Sequence, residues 1–202
     1  MANGKVCIGF SKPMVALYHA EAGAVTYSGC IPLARGVSIS IEPTVSDDNI
    51  FYADNVAAEN EGGTFTGGTA TMDTDHPNPE AGKMIFGLPD EEEISVGDKK
   101  VKIRSYGDKA KPPYVGIGFI VMYMQDGVTS YAPVVLRKAK FKTPSENAKT
   151  KEGTIEWQKS THTATLMRDD SDNHDWKKVA EDQTTEALAE AVLRAMLGGG
   201  AA

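Results

Sequence analysis

The densest cluster of metal-ligating side chains is Asp169-Asp-Ser-Asp-Asn-His-Asp175. A calcium-loop register starting at Asp170 puts Asp172 and His174 at alternate positions and Glu181 at the twelfth. The sixth position is then Asp175, where the tight turn requires glycine, and no helical pattern precedes the loop. A solvated acidic loop is the expectation here, with no metal and no cofactor. The four histidines, His19, His76, His162 and His174, show no HxxxH or HExxH spacing and are expected as surface or hydrogen-bonded residues. Gly116-x-Gly118 lies inside a strand pattern with no helix after it, so it reads as close strand packing and not as a phosphate cradle. No basic residue or helix start adjoins Cys30 to activate it. Nothing in the spacing supports a nucleophilic triad, and no enzymatic activity is expected.

The elements that would position such groups are mainly strands. Val37-Ser-Ile39-Ser-Ile41-Glu42 alternates apolar and polar, a half-buried strand that Pro43 should end. After the polar turn Val45–Asp48, Ile50-Phe-Tyr52 is expected to pair back on it as an antiparallel hairpin. Glycines 62, 63, 67 and 68 flank Thr64–Thr66, predicting a mobile loop near residues 57–68 that leads into a strand, Thr69–Asp73. Asp75–Pro79 is a loop, Glu80–Leu88 a short helix with Met84 and Leu88 on one face, and Asp90–Glu93 a solvated acidic run. Tyr114–Met124, the Asp126-Gly127 turn and Thr129–Phe141 form a hairpin, with Pro133 marking an edge or a bulge. Thr154–Leu166 is a strand with Thr161, Thr163 and Thr165 on its polar face. A helix begins at a Thr184 or Thr185 cap. It carries a stripe of Leu188, Ala191, Val192, Ala195 and Met196, with a frayed tail from Gly198.

This pattern places the chain in a mainly β class with helical additions: a β-sandwich or open barrel with a short flanking helix and a C-terminal helix. Residues 1–183 form the β domain and residues 184–202 the helix and tail. The chain has 202 residues and a formal charge of −7, which excludes the usual basic nucleic-acid binder. The longest apolar run, near Ile117–Met124, is too short to span a bilayer, and the N-terminus lacks a signal pattern. No membrane association is expected, and synthesis and folding are expected in a cytoplasm. Cys7 and Cys30 are too few for a disulfide framework and are expected as small reduced core residues. Trp157 and Trp176 are expected to pack.

Several stretches, in order, resemble the major tail proteins of long-tailed bacteriophages. They are Phe51-Tyr-Ala-Asp-Asn55 before an acidic Gly-rich loop; Val115–Phe119, Gly127–Tyr131 and Lys138–Phe141 as one strand–turn–strand unit; Lys149–Gln158; and Asp175-Trp-Lys177 ahead of the helix start at Thr184. The similarity runs from about Val6 to the C-terminal helix. It implies a tail-tube-like β-sandwich that self-assembles into hexameric, stacked rings, the conduit for DNA ejection, located in the virion tail and assembled in a bacterial cytoplasm. It also implies partners: other copies of the chain, tape measure, tail terminator and distal tail proteins, and DNA in transit without specific binding. Strands near Val37–Tyr52 help to line the channel in that family. This makes Ser38, Ser40, Glu42, Asp47 and Asp48 lumen candidates, although alternation gives a face and not its direction. Phe51, Tyr52, Asp54, Asn55, Glu59, Glu61 and Phe65 are the candidates for contacts between subunits. The competing expectations are a tube protein of a phage-derived injection machine, a monomeric adhesin or ligand-binding β module, and a hydrolase.

Overall fold

A computed structural model describes residues 4–199 except 147, 152 and 154. The tail residues 200–202 and the predicted strand start at Thr154 therefore lie outside the described residues. The strands are β1 (Val6–Glu21), β2 (Ala24–Pro32), β3 (Gly36–Val45), β4 (Asn49–Ala53), β5 (Val56–Glu61), β6 (Phe65–Thr74), β7 (Glu92–Val96), β8 (Lys99–Ile103), β9 (Val115–Gln125), β10 (Val128–Phe141), β11 (Ser160–Met167) and β12 (Lys177–Val179). The helices are α1 (Pro79–Phe86) and α2 (Glu186–Met196). The protein is mainly β with two helices, as the pattern predicts.

The main sheet runs β2-β1-β9-β10-β11-β6-β3, antiparallel throughout, with β12 also against β10. Two hairpins, β4–β5 and β7–β8, stand apart from it as separate two-stranded ribbons. The central strands are covered on both faces, so they lack alternation. In β9, residues 115–120 are all buried. On one side Val115, Ile117 and Phe119 join Val15, Leu33, Met72, Leu136 and Leu166 in the larger core, with Ile85 of α1. On the other, Ile120 meets Met14, Tyr27, Val135 and the Ala189–Leu193–Leu197 face of α2. The glycines admit that helix: a Cβ on Gly118 would lie 2.8 Å from a Leu193 methyl and 2.7 Å from one of Leu197.

Both helices are capped, α2 at the expected Thr185 and α1 by residues that were not singled out. Asn78 Oδ1 accepts from Ala81 N at 2.8 Å with Pro79 following, and Gly87 closes α1 in the left-handed region at φ 57°. The chain crosses so close there that a Cβ on Gly87 would fall 1.9 Å from the Lys111 carbonyl oxygen. The buried α1 positions are Ala81, Gly82, Ile85 and Phe86; Met84 is partly buried against the same core, and Leu88, just past the helix, is buried in it. In α2, Thr185 accepts from Leu188 N, and the buried face is shifted by one residue, leaving Leu188 exposed. Apolar residues almost encircle α2, so contact with Gly118 and Tyr27, and not periodicity, selects the face.

Several strand assignments also change. β3 does not pair with Ile50–Tyr52; it pairs with β6, and β4 pairs with β5. Pro43 does not end β3, which continues to Val45 on the sheet edge, where a missing N–H is tolerated. Residues 57–68 are not a loop: they hold most of β5 and the start of β6. β10 is internal, and its bulge falls between Leu136 and Ala139. Pro133 sits where its carbonyl faces β12, accepting from Ala180 N, so the long β9 ladder loses no donor. β11 begins at Ser160. Cys7 is exposed because no layer covers the start of β1, while Cys30 is half-buried beside α2. Trp176 packs, but Trp157 is 90% exposed.

Candidate assembly surfaces

The β4–β5 arm is built on its turn. Asp54 and Asn55 adopt φ 50° and 64°, two consecutive left-handed residues that reverse the chain in a tight hairpin. Its base is tied by Asp48, whose carboxylate accepts from Gly63 N at 3.1 Å and from Asn60 Nδ2 at 3.3 Å. Below that, Ser46 N donates to Thr64 O at 2.9 Å, and Thr64 N donates back to Ser46 Oγ at 3.0 Å. Phe51 and Tyr52 are each 63% exposed, and Glu59 and Glu61 are exposed across from Phe51 and Asn49. A lone two-stranded ribbon is marginal in water, and this one leaves two aromatic rings largely exposed. Phe65 departs from this group: it stacks on Trp176 at 4.7 Å within the same chain.

The lumen candidates separate in the same way. Ser38, Ser40 and Glu42 share a face of β3, while Asp47 and Asp48 lie on the turn at the arm base. Strand register extends the β3 face into a surface that sequence spacing alone did not assemble. Through β6 the rows run Ser38–Asp73–Thr161, Ser40–Thr71–Thr163 and Glu42–Thr69–Thr165 across β3, β6 and β11. The opposite face of those strands carries Ile39, Ile41, Ala70, Met72, Ala164 and Leu166 in or against the core. The signal was present as the Thr69-x-Thr71 and Thr161-x-Thr163-x-Thr165 alternations; only pairing joins them.

Asp73 anchors that face. It accepts from Ser38 Oγ at 2.8 Å, from Thr161 Oγ1 at 2.7 Å and from Lys159 Nζ. The Lys159 hydrogen bond, then that of Thr161, holds its carboxyl down at about 2. A depressed folded value stabilises above the ordinary carboxylate range near pH 4, and the gain disappears as pH falls through about 2. Asp73→Asn is therefore expected to lose about 1 kcal/mol at neutral pH after solvent screening, with the difference from wild type vanishing near pH 2. Urea unfolding across pH checks this, and a pH-independent difference would refute it.

The β7–β8 arm was not anticipated beyond its acidic start. Gly97 turns the chain at φ 60°, and Ile94 pairs with Val101, Val96 with Lys99 and Glu92 with Ile103. One face thus carries Ile94, Val96, Val101 and Ile103 together with Glu92 and Lys99, all exposed. The other carries Glu93, Ser95, Lys100 and Lys102, with Lys100 to Glu93 at 3.3 Å and Lys102 to Glu91 at 3.6 Å. The alternation Ile94-Ser-Val96 and Val101-Lys-Ile103 around Gly97-Asp98 was the readable signal.

The Asp169–Asp175 loop departs from the solvated loop expected: it is tied to the sheet at its start, where the Asp169 side chain is fully buried. Asp169 accepts from Arg137 and Ser171, and Asp170 from Tyr18 and Lys138. Among the described residues no three His, Cys, Asp or Glu side chains converge to hold a metal, and no helix is long and apolar enough to cross a membrane. A cavity of ≈ 190 Å³ lies beside α1, lined by His76, Phe86, Arg104, Tyr106, Lys159 and His162. His162 bonds Thr74 Oγ1 at 3.2 Å, and burial pushes its imidazole pKa down. No protein-family model and no curated protein matches the chain.

Proposed function

We propose that the chain is a tail-tube subunit, assembling into hexameric rings that stack into the conduit for phage DNA. The observation that carries this reading is surface area. The chain exposes 12935 Å², whereas a compact monomer of 21.6 kDa should expose about 9,000 Å². The excess is close to what four contact faces of about 800 Å² would cover, two lateral and two axial. The two exposed arms and the open edges of β2 and β3 supply such faces. The threonine face suits a channel wall: it is mostly hydroxyl, Lys159 is paired with Asp73, and Glu42 adds negative charge, so DNA phosphates find no free cation there among the described residues.

Electron microscopy of the purified protein over a range of concentration and salt is the test. Rings or tubes with the Ser40–Thr71–Thr163 rung turned toward the axis are expected. A chain that stays strictly monomeric under all conditions would sink the proposal, and tubes with that rung outward would remove the lumen assignment. The cavity beside α1 favours one second reading, a monomeric ligand-binding module, which the monomeric outcome would support.

A further inference from the structure

We propose that the apolar face of the β7–β8 arm is the seat of the β4–β5 arm from a neighbouring copy of the chain. This rests on the self-assembly reading above and names the contact that would carry it. The two arms are rooted at opposite ends of one ladder. β3 and β6 pair from Gly36↔Thr74 to Val45↔Phe65, and β4–β5 leaves from the Val45–Phe65 end. At the Gly36–Thr74 end, Asp75 N donates to Arg35 O and Asn78 N to Leu33 O, which starts α1 there. Phe86 at the end of α1 lies 6.3 Å from the ring of His162, the partner of Met72. The β7–β8 arm follows, and the chain beyond it returns to the same place through Lys111 N to Gly87 O at 3.1 Å. Ten residues of strand separate the two roots, about 30 Å. Contact between such arms joins different copies head to tail, the heterologous geometry that closes rings or propagates stacks.

Their chemistry is complementary. Between Arg35 and Lys83 the sequence has no lysine or arginine, and the β4–β5 excursion carries Asp47, Asp48, Asp54, Glu59 and Glu61. Its Phe51 and Glu59 sit side by side as a cross-strand pair. The β7–β8 face offers an apolar row with its one cation at the tip: Ile94, Val96, Val101 and Ile103 are exposed in a row, with Lys99 beside Val96 at the turn and Glu92 beside Ile103 at the far, root end. Lys100 and Lys102 are paired with glutamates on the opposite face, whereas Lys99 has no ion pair among the described residues. Phe51 covering Val96 and Val101 while Glu59 meets Lys99 would bury the apolar row of one arm and the ring of the other.

Reversing one side at a time tests the pairing. Glu59→Lys with Glu61→Lys, and separately Lys99→Glu, should each raise the concentration needed for half-assembly by roughly tenfold or more. An equimolar mixture of the two variants should assemble like wild type, because each reversed arm then meets an oppositely charged one. Hydrogen exchange of wild type needs no variant: amides of both arms should become protected together on assembly. Several results overturn the inference. These are single-sided variants that assemble normally, folded variants that the mixture does not rescue, either arm exchanging at its monomer rate in assembled material, or a dimer sensitive only to the β7–β8 substitution. If wild type never assembles, the tube reading falls with it; if wild type assembles and the arms prove irrelevant, only this pairing falls.

Discussion

Asp169→Ala is expected to destabilise the monomer by about 3–5 kcal/mol, the range for breaking a buried ion pair by removing one partner. The Asp169 side chain is fully buried and Arg137 is 12% exposed. Nε and Nη2 of Arg137 both donate to Oδ2 at 2.7 Å. Oδ1 accepts from Ser171 Oγ at 2.6 Å and from Ser171 N at 3.2 Å. Burial alone would raise the carboxyl pKa; the Ser171 and Arg137 hydrogen bonds outweigh it, and the group is held below the usual carboxylate range. Alanine removes every acceptor at once and leaves a guanidinium facing Tyr27, whose ring centroid is 5.6 Å away. That strands a charge between the second core and the loop that carries Trp176. Asp169→Asn keeps an acceptor and should lose distinctly less. Because the folded pKa is depressed, the deficit of either variant shrinks as pH falls below about 4. Urea unfolding at neutral pH measures the loss, and an alanine variant within about 0.5 kcal/mol of wild type would show that the pair contributes nothing net.

The same residues mark where sequence reasoning reached and where it stopped. The β9–β10 hairpin was legible because Asp126-Gly127 takes φ 50° and 79°, values that this dipeptide adopts readily. Asp54-Asn55 does the same at φ 50° and 64°, but the nearby glycines drew the loop boundary too early and hid β5. The β1–β2 hairpin turns through Ala22-Gly23, a weak signal. Met14 and Ala16 enter one core while Val15 enters the other, so the strand shows no alternation. Polar alternation on β3, β6 and β11 was legible strand by strand. Their union into one face depends on long-range register, which a single sequence does not carry. The acidity of Asp169–Asp175 was visible, but not that Arg137, distant in sequence, would make Asp169 a buried ion-pair partner.

Excising the β4–β5 arm is expected to abolish assembly while leaving the monomer's stability almost unchanged. The cut is defined by the backbone: Ser46 and Thr64 already bond each other at 2.9 and 3.0 Å, so residues 47–63 can be replaced by Asn-Gly to close β3 onto β6 as a two-residue hairpin. No residue of the excised segment belongs to either core. Phe65, which stacks on Trp176, remains in place, as do the Thr69–Asp73 positions of the polar face. Shortening the loop lowers its closure entropy slightly, so the melting temperature should stay level or rise. The excision removes Phe51 and Tyr52, the most exposed aromatic rings after Trp157, together with the five carboxylates Asp47, Asp48, Asp54, Glu59 and Glu61. If these form one half of a repeated heterologous contact, each subunit loses one such contact and provides none to its neighbour, so the effect multiplies around a ring and along a stack. Sedimentation and microscopy of the excised chain at concentrations where wild type assembles read the outcome. Normal tubes from a folded, arm-less chain would place the assembly contacts elsewhere, on the open edges of β2 and β3.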